Sequence, residues 1–180
     1  MLDFWRWALA TCGLDNARGY LAEYLVARAL GATNPHRIEW GGHDVVAPDG
    51  TRIEVKASGY LQSWVQLAPS TPVFQFKSAY TATAWDPVSA GNVPVDVEQR
   101  VHAWVFALQT CSKHESYDPL DIGQWEFRVV PHRQLVRTGQ KSARLSFFDR
   151  LGVAPVGWEE LPQAVAAARG EHERLGATPP

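Results

Sequence analysis

The sequence predicts a mixed α/β sandwich. Three observations lead to that class. Residues 15–31 are helix-periodic, residues 41–56 form a hairpin of β-branched residues and turn formers, and Val101-His102-Ala103-Trp104-Val105-Phe106-Ala107-Leu108 is almost wholly apolar, as in a strand covered on both faces. With 180 residues, 46% hydrophobic and 20% charged, the chain can bury one good core. A single domain over residues 1–175 is expected, with a frayed tail at 176–180.

Residues 3–11 read as a short amphipathic helix with Phe4, Trp5 and Trp7 available for packing. Asp15 or Asn16 can cap a second helix, and Gly31 is a natural C′ residue at its end. The hairpin follows. Pro72-Val73-Phe74-Gln75-Phe76-Lys77 alternates like a further strand, whereas residues 86–99, with Pro87, Gly91 and Pro94, read as a surface loop. After the apolar strand, Gln124 to Pro131 alternates again until Pro131 stops it. Glu159 to Arg174 is an alanine-rich closing helix, with Gly170 as a point where it could break. No apolar run approaches the roughly 20 residues that span a bilayer. The start, Met1-Leu2-Asp3-Phe4-Trp5-Arg6-Trp7, lacks the basic and long apolar regions of a secretory signal. Cys12 and Cys111 are too few for a disulfide scaffold and fit a reduced cytoplasm, and neither they nor the six histidines have structural zinc spacing.

The chemistry-bearing stretch is Asp44 followed ten residues later by Glu54-Val55-Lys56. If Pro48-Asp49-Gly50 is a three-residue loop with Gly50 left-handed, Ala47 faces Thr51 and Asp44 faces Glu54. Alternation then puts Lys56 on the face of Glu54, with Val45, Ile53 and Val55 on the other. Cross-strand Cβ atoms lie about 4.5–5.5 Å apart, close enough for two carboxylates to hold one divalent cation. A lysine two residues on could hold the water that attacks a phosphate, so the pattern points to metal-dependent phosphodiester hydrolysis. The same residues also fit a solvated hairpin face with cross-strand ion pairs.

Glu23 is the odd member of the preceding helix. Its neighbours three and four residues away are Gly19, Tyr20, Val26 and Ala27, none of them a lysine or arginine that could pair with it. Gly19 would let the helix approach the hairpin, where a metal or lysine could satisfy Glu23. An ordinary exposed helix glutamate is the other reading.

These residues resemble the PD-(D/E)xK superfamily, the restriction-endonuclease-like nucleases: Glu23 on the preceding helix, Asp44 opening a strand, and Ile53-Glu54-Val55-Lys56-Ala57-Ser58 on the next. The resemblance implies a mixed central β-sheet flanked by helices, a restriction-endonuclease-like core over about residues 14–110, with the C-terminal strands and helix at 120–175. It implies Mg²⁺ or Mn²⁺ held by Asp44, Glu54, the Val55 carbonyl and Glu23, with Lys56 as the catalytic cation. It further implies cleavage of nucleic acid, usually DNA, to 5′-phosphate and 3′-hydroxyl ends. His43 stands where the superfamily's eponymous proline would be. The Gln-x-x-x-Tyr signature of the exonuclease branch is absent, since Gln62 is followed four residues later by Gln66.

Seventeen Lys and Arg against nineteen Asp and Glu give a net charge of −2, so no global field draws in a polyanion. Locally, Arg133, Arg137, Lys141, Arg144 and Arg150 face only Asp149, a cluster that could hold phosphates or be an ordinary soluble face. Of the eight tryptophans, Trp104 and Trp125 sit in core patterns, while Trp64 could stack on a base beside the site. Ser58 and Gln62 could hydrogen-bond a phosphate or cap a turn. The expected partner is nucleic acid, DNA first, with no membrane; a homodimer or a partner protein stays open. A non-catalytic nucleic-acid or protein interaction module with this fold and a metal-free structural protein are the competing classes.

Overall fold

The computed structural model describes residues 3–4, 15–32, 42–81, 83–86 and 88–177. Apart from Asp3 and Phe4, which are helical, the helix expected over 3–11 lies outside the described residues, as do Trp5 and Trp7. Helix α1 covers Asp15–Ala29; its candidate capping side chains, Asp15 and Asn16, lie outside the described side chains. The strands are β1 (Val45–Val46), β2 (Arg52–Gly59), β3 (Phe74–Gln75), β4 (Thr83–Asp86), β5 (Gly91–Pro94), β6 (Ala103–Gln109), β7 (Trp125–Pro131) and β8 (Ser142–Ala143). Two short helices, α2 (His132–Arg137) and α3 (Leu145–Arg150), precede the closing helix α4 (Leu161–Gly176).

The central sheet runs β1-β2-β6-β7 and is mixed: β2 and β6 are parallel, while the β1–β2 and β6–β7 pairs are antiparallel. Strand alternation gives it two faces. Ile53, Val55, Val105, Ala107 and Phe127 project to one, where α1 (Ala22, Leu25, Val26) and α4 (Leu161, Val165) cover them. Trp104, Phe106, Leu108 and Val130 project to the other and pack with Phe74, Phe76, Leu135, Phe147 and Phe148. Every residue of β6 is buried, as its unbroken apolar run requires. The chain is therefore an α/β protein with a mixed central sheet flanked by helices. No helix among the described residues is long and apolar enough to cross a membrane.

Three expectations are corrected. The strand expected over Pro72–Lys77 shrinks to Phe74–Gln75 and pairs with β8 outside the central sheet. Its alternation reflects Phe74 and Phe76 packing edge-on against Phe106, not membership of that sheet. Residues 86–99 are not a loop throughout: β4 and β5 form a hairpin, with the Asp86 carboxylate accepting from Val88 and Ser89 N–H to shape the turn. Pro94 is tolerated because, among the described residues, the pair is a separate two-stranded sheet in which both strands are edge strands. Helix α4 runs unbroken through Gly170 and continues to Gly176; residues 178–180 of the tail lie outside the described residues.

One end of the sheet carries buried histidines. The Trp104 indole N–H donates to His132 Nδ1 at 2.8 Å, which fixes His132 as the neutral Nε2–H tautomer donating to the Val97 carbonyl. His172 is 4% exposed on α4, its Nδ1 has no hydrogen-bond partner, and its ring lies 5.5 Å from that of His102. Burial first, then Arg133, His102 and His132, push the His172 pKa down to about 4. Burial is also the leading cause of the lowered values of His102 and His132. Because these folded-state pKa values lie below the ordinary one, the unfolded chain binds more protons in between. Stability is fully present above the usual imidazole range, and the His172 contribution is lost as pH falls from about 6.5 towards 4. The urea midpoint should be higher at pH 7 than at pH 4.5, and His172→Phe should narrow that gap. Equal midpoints at the two pH values would show that the histidines titrate normally.

Candidate active site

Local chemistry sets the hairpin. Ala47 N–H donates to the Thr51 carbonyl at 2.9 Å and Gly50 N–H to the Ala47 carbonyl at 2.9 Å, with Gly50 at φ 82°. Only glycine takes that conformation without strain, so the three-residue loop is sharp. From α4, Arg169 grips the turn, 2.9 Å from Asp49 Oδ2 and 3.0 Å from Thr51 Oγ1. The register pairs Val45 with Ile53, so one step on Asp44 stands across from Glu54.

β1 begins at Val45, so among the described residues no strand pairs with the part of β2 beyond Ile53 on that side. Asp44 fills the first gap: its Oδ2 accepts the Val55 N–H at 2.8 Å. The N–H and C=O of one strand residue point the same way, so the Val55 carbonyl opens on the edge where Asp44 stands. Glu54, Lys56 and Ser58 lie on the face of Trp104, Phe106 and Leu108, their partners in β6. Glu54 is 6% exposed, its Oε1 2.9 Å from Lys56 Nζ and 3.4 Å from Ser78 Oγ. The Lys56 ammonium also sits 5.6 Å from the centre of the Trp104 ring. One reading of the sequence made this a solvated hairpin face. Glu54 departs from this, because Ser78 and the second hydrophobic cluster close over its face.

The structure thus brings Asp44, Glu54, Lys56 and the Val55 carbonyl together. Two carboxylates and a carbonyl at the open end of a hairpin are hard oxygen donors of the kind Mg²⁺ and Mn²⁺ take, so these residues fit such an ion. Glu23 is half-buried on α1, the helix that packs against the other face of the sheet from Glu54 and Lys56. A Cβ at Gly19 would meet nothing within 4 Å among the described residues.

The candidate nucleic-acid contacts fall in two places. Ser58 and Gln62 line a pocket directly beyond Lys56, and Arg144 lines the two pockets that adjoin it through Ser70, Thr71 and Val73. Trp64 is 58% exposed on the loop that walls the first pocket. Arg133 and Arg137 sit elsewhere. They donate at 2.9 Å to the His172 and Leu175 carbonyls, satisfying the last turns of α4, and Arg133 also meets Glu98. The Lys141 side chain is exposed while its carbonyl accepts the Phe76 N–H. Sequence reasoning missed Ser78 and Arg18. Ser78 carries no local signal, whereas an arginine inside the helix, with Gly59 inside a strand, is a pattern that close approach of a long side chain explains.

No protein-family model matches this sequence, and no curated protein matches it.

Proposed function

We propose that this protein is a metal-dependent nuclease with a restriction-endonuclease-like core of the PD-(D/E)xK kind, hydrolysing phosphodiester bonds of nucleic acid, DNA first, in the cytoplasm. The observation that carries this is the convergence of Asp44, Glu54, Lys56 and the Val55 carbonyl on the β1 side of β2. Asp44, Glu54 and the Val55 carbonyl would hold Mg²⁺ or Mn²⁺, and Glu23 would add a carboxylate from the α1 side. The bound ion supplies Lewis-acid polarisation of the phosphate and a water of lowered pKa. Lys56 faces the charge that develops on the phosphoryl oxygens and holds the attacking water. Its ammonium is already fixed by Glu54 and the Trp104 ring, so little orientation is left to acquire. Burial of Glu54 lowers the local dielectric and strengthens each of these interactions.

The test is a cleavage panel on plasmid, single-stranded DNA, duplex DNA, RNA and branched DNA. Mg²⁺ and Mn²⁺ should support cleavage, and Ca²⁺, which takes more ligands at longer distances, should oppose it. Robust cleavage in EDTA would sink the metal mechanism. The second reading is a non-catalytic nucleic-acid-binding module, favoured by the closed Glu54–Lys56 ion pair at 2.9 Å. Nucleic-acid binding without turnover across the whole panel would decide for it.

A further inference from the structure

We propose that the pocket immediately beyond Lys56 is a subsite for a phosphate group of a nucleic-acid strand. The source of the ligand rests on the nuclease reading; the affinity for phosphate does not.

Ala57, Ser58 and Gly59 of β2 form one wall of an open pocket of about 370 Å³, closed by Arg18 of α1 and by Gln62, Ser70 and Thr71. Ser58 shares the face of Lys56 and lies about 7 Å further along the strand, one step of a phosphate backbone from the reacting centre. Among the described residues lining the pocket, Arg18 is the one charged side chain and none is a carboxylate. The Arg18 guanidinium is built in: the residue is 4% exposed, and it donates to the Leu61 carbonyl and, at 3.4 Å, to Gln62 Oε1. It crosses β2 at Gly59, where a Cβ would lie 3.3 Å from its Cζ, so the missing side chain makes room for it.

Two pocket hydroxyls accept hydrogen bonds from the protein and keep a proton to donate. Ser58 Oγ accepts the Val73 N–H at 3.2 Å and Ser70 Oγ accepts Gln66 Nε2 at 2.9 Å. A hydroxyl whose oxygen is engaged in this way still has its O–H to give, and an anion is what it suits. The loop is closed before any ligand arrives: Ser70 N–H reaches the Tyr60 carbonyl at 2.7 Å, and Gln62 N–H reaches Gln66 Oε1 at 2.6 Å. A preorganised ring of guanidinium and hydroxyl donors around an open volume matches a tetrahedral oxyanion with several acceptors. Trp64, exposed on the same loop, is an aromatic face of the kind on which a base can stack.

The experiment uses the full chain in EDTA, so no cleavage intervenes. A single-stranded oligonucleotide labelled at its 3′ end, carrying a 5′-phosphate or a 5′-hydroxyl, is titrated, with inorganic phosphate as competitor. Inorganic phosphate should displace both oligonucleotides. Thr71→Asp, which places a carboxylate at the exposed mouth without touching the core, should weaken binding about tenfold or more, and Arg18→Gln likewise. Because Arg18→Gln can also unfold α1, Thr71→Asp and Ser70→Ala are the deciding variants. Preference for the 5′-phosphate assigns the pocket to a terminal phosphate, and equal binding assigns it to an internal diester; both support the subsite. Failure of phosphate to compete, or native affinity in both deciding variants, overturns it. Intact phosphate competition without cleavage in Mg²⁺ would count against the nuclease reading alone.

Discussion

Asp44→Asn, Glu54→Gln and Lys56→Met should each lower the rate of Mg²⁺-dependent cleavage by about 10²–10³-fold, the usual cost of removing one group aimed at developing charge. Asp44→Asn should act with the smallest change in fold, because the amide oxygen can still accept the Val55 N–H. Glu54 and Lys56 are different. Glu54 is 6% exposed and bound to a lysine whose side chain is 28% exposed, so removing either leaves a poorly hydrated charge. Each single substitution should cost about 1–3 kcal/mol in urea unfolding, and the Glu54→Gln, Lys56→Met double variant less than the sum. That coupling separates chemistry from folding: a variant that loses cleavage while its urea midpoint is restored in the double variant has lost a reacting group. Near-native cleavage in any of the three would remove that residue from the site.

The hairpin was legible because everything that sets it is local. Turn residues and β-branched neighbours fix the register, and the register places Asp44 across from Glu54. The apolar run of β6 was legible for a similar reason, since burial on both faces leaves no room for polar alternation. What escaped depends on partners far away in sequence. Glu54 is buried by Trp104 and Ser78, and nothing near residue 54 announces them. Phe74 and Phe76 alternate as strand residues do, but period two says nothing of the sheet a strand joins. Helices α2 and α3 span six residues each and lack a side-chain N-cap, so neither offers the start signal that helix reading relies on. Arg133 and Arg137 looked like a phosphate-binding cluster because charge patterning cannot tell solvent from the carbonyl end of a helix.

Trp104→Ala should cost about 3–5 kcal/mol, a large share of the 5–15 kcal/mol that holds a typical domain together. The indole is fully buried, lies 6.2 Å from both Phe76 and Phe106, and fills the centre of the second hydrophobic cluster. Trp104→Phe separates two contributions. It keeps most of the apolar contact but leaves His132 Nδ1 without its donor in a dry site, a loss of about 1–3 kcal/mol. It should also change how His132 titrates. With the indole N–H present, a proton on Nδ1 would face another donor, so the neutral ring is enforced; without it, protonation is resisted by burial and by Arg100 and Arg133. The His132 pKa should therefore rise towards the ordinary imidazole range in Trp104→Phe, as followed by NMR titration of the ring protons. Because a smaller gap between folded and unfolded pKa means fewer protons taken up on unfolding, the loss of stability as pH falls below the usual imidazole range should become shallower. The same substitution removes the larger ring beside the Lys56 ammonium, so cleavage should fall by several-fold even where the variant is fully folded. An unchanged His132 titration in Trp104→Phe would show that burial alone, without the indole donor, keeps the ring neutral.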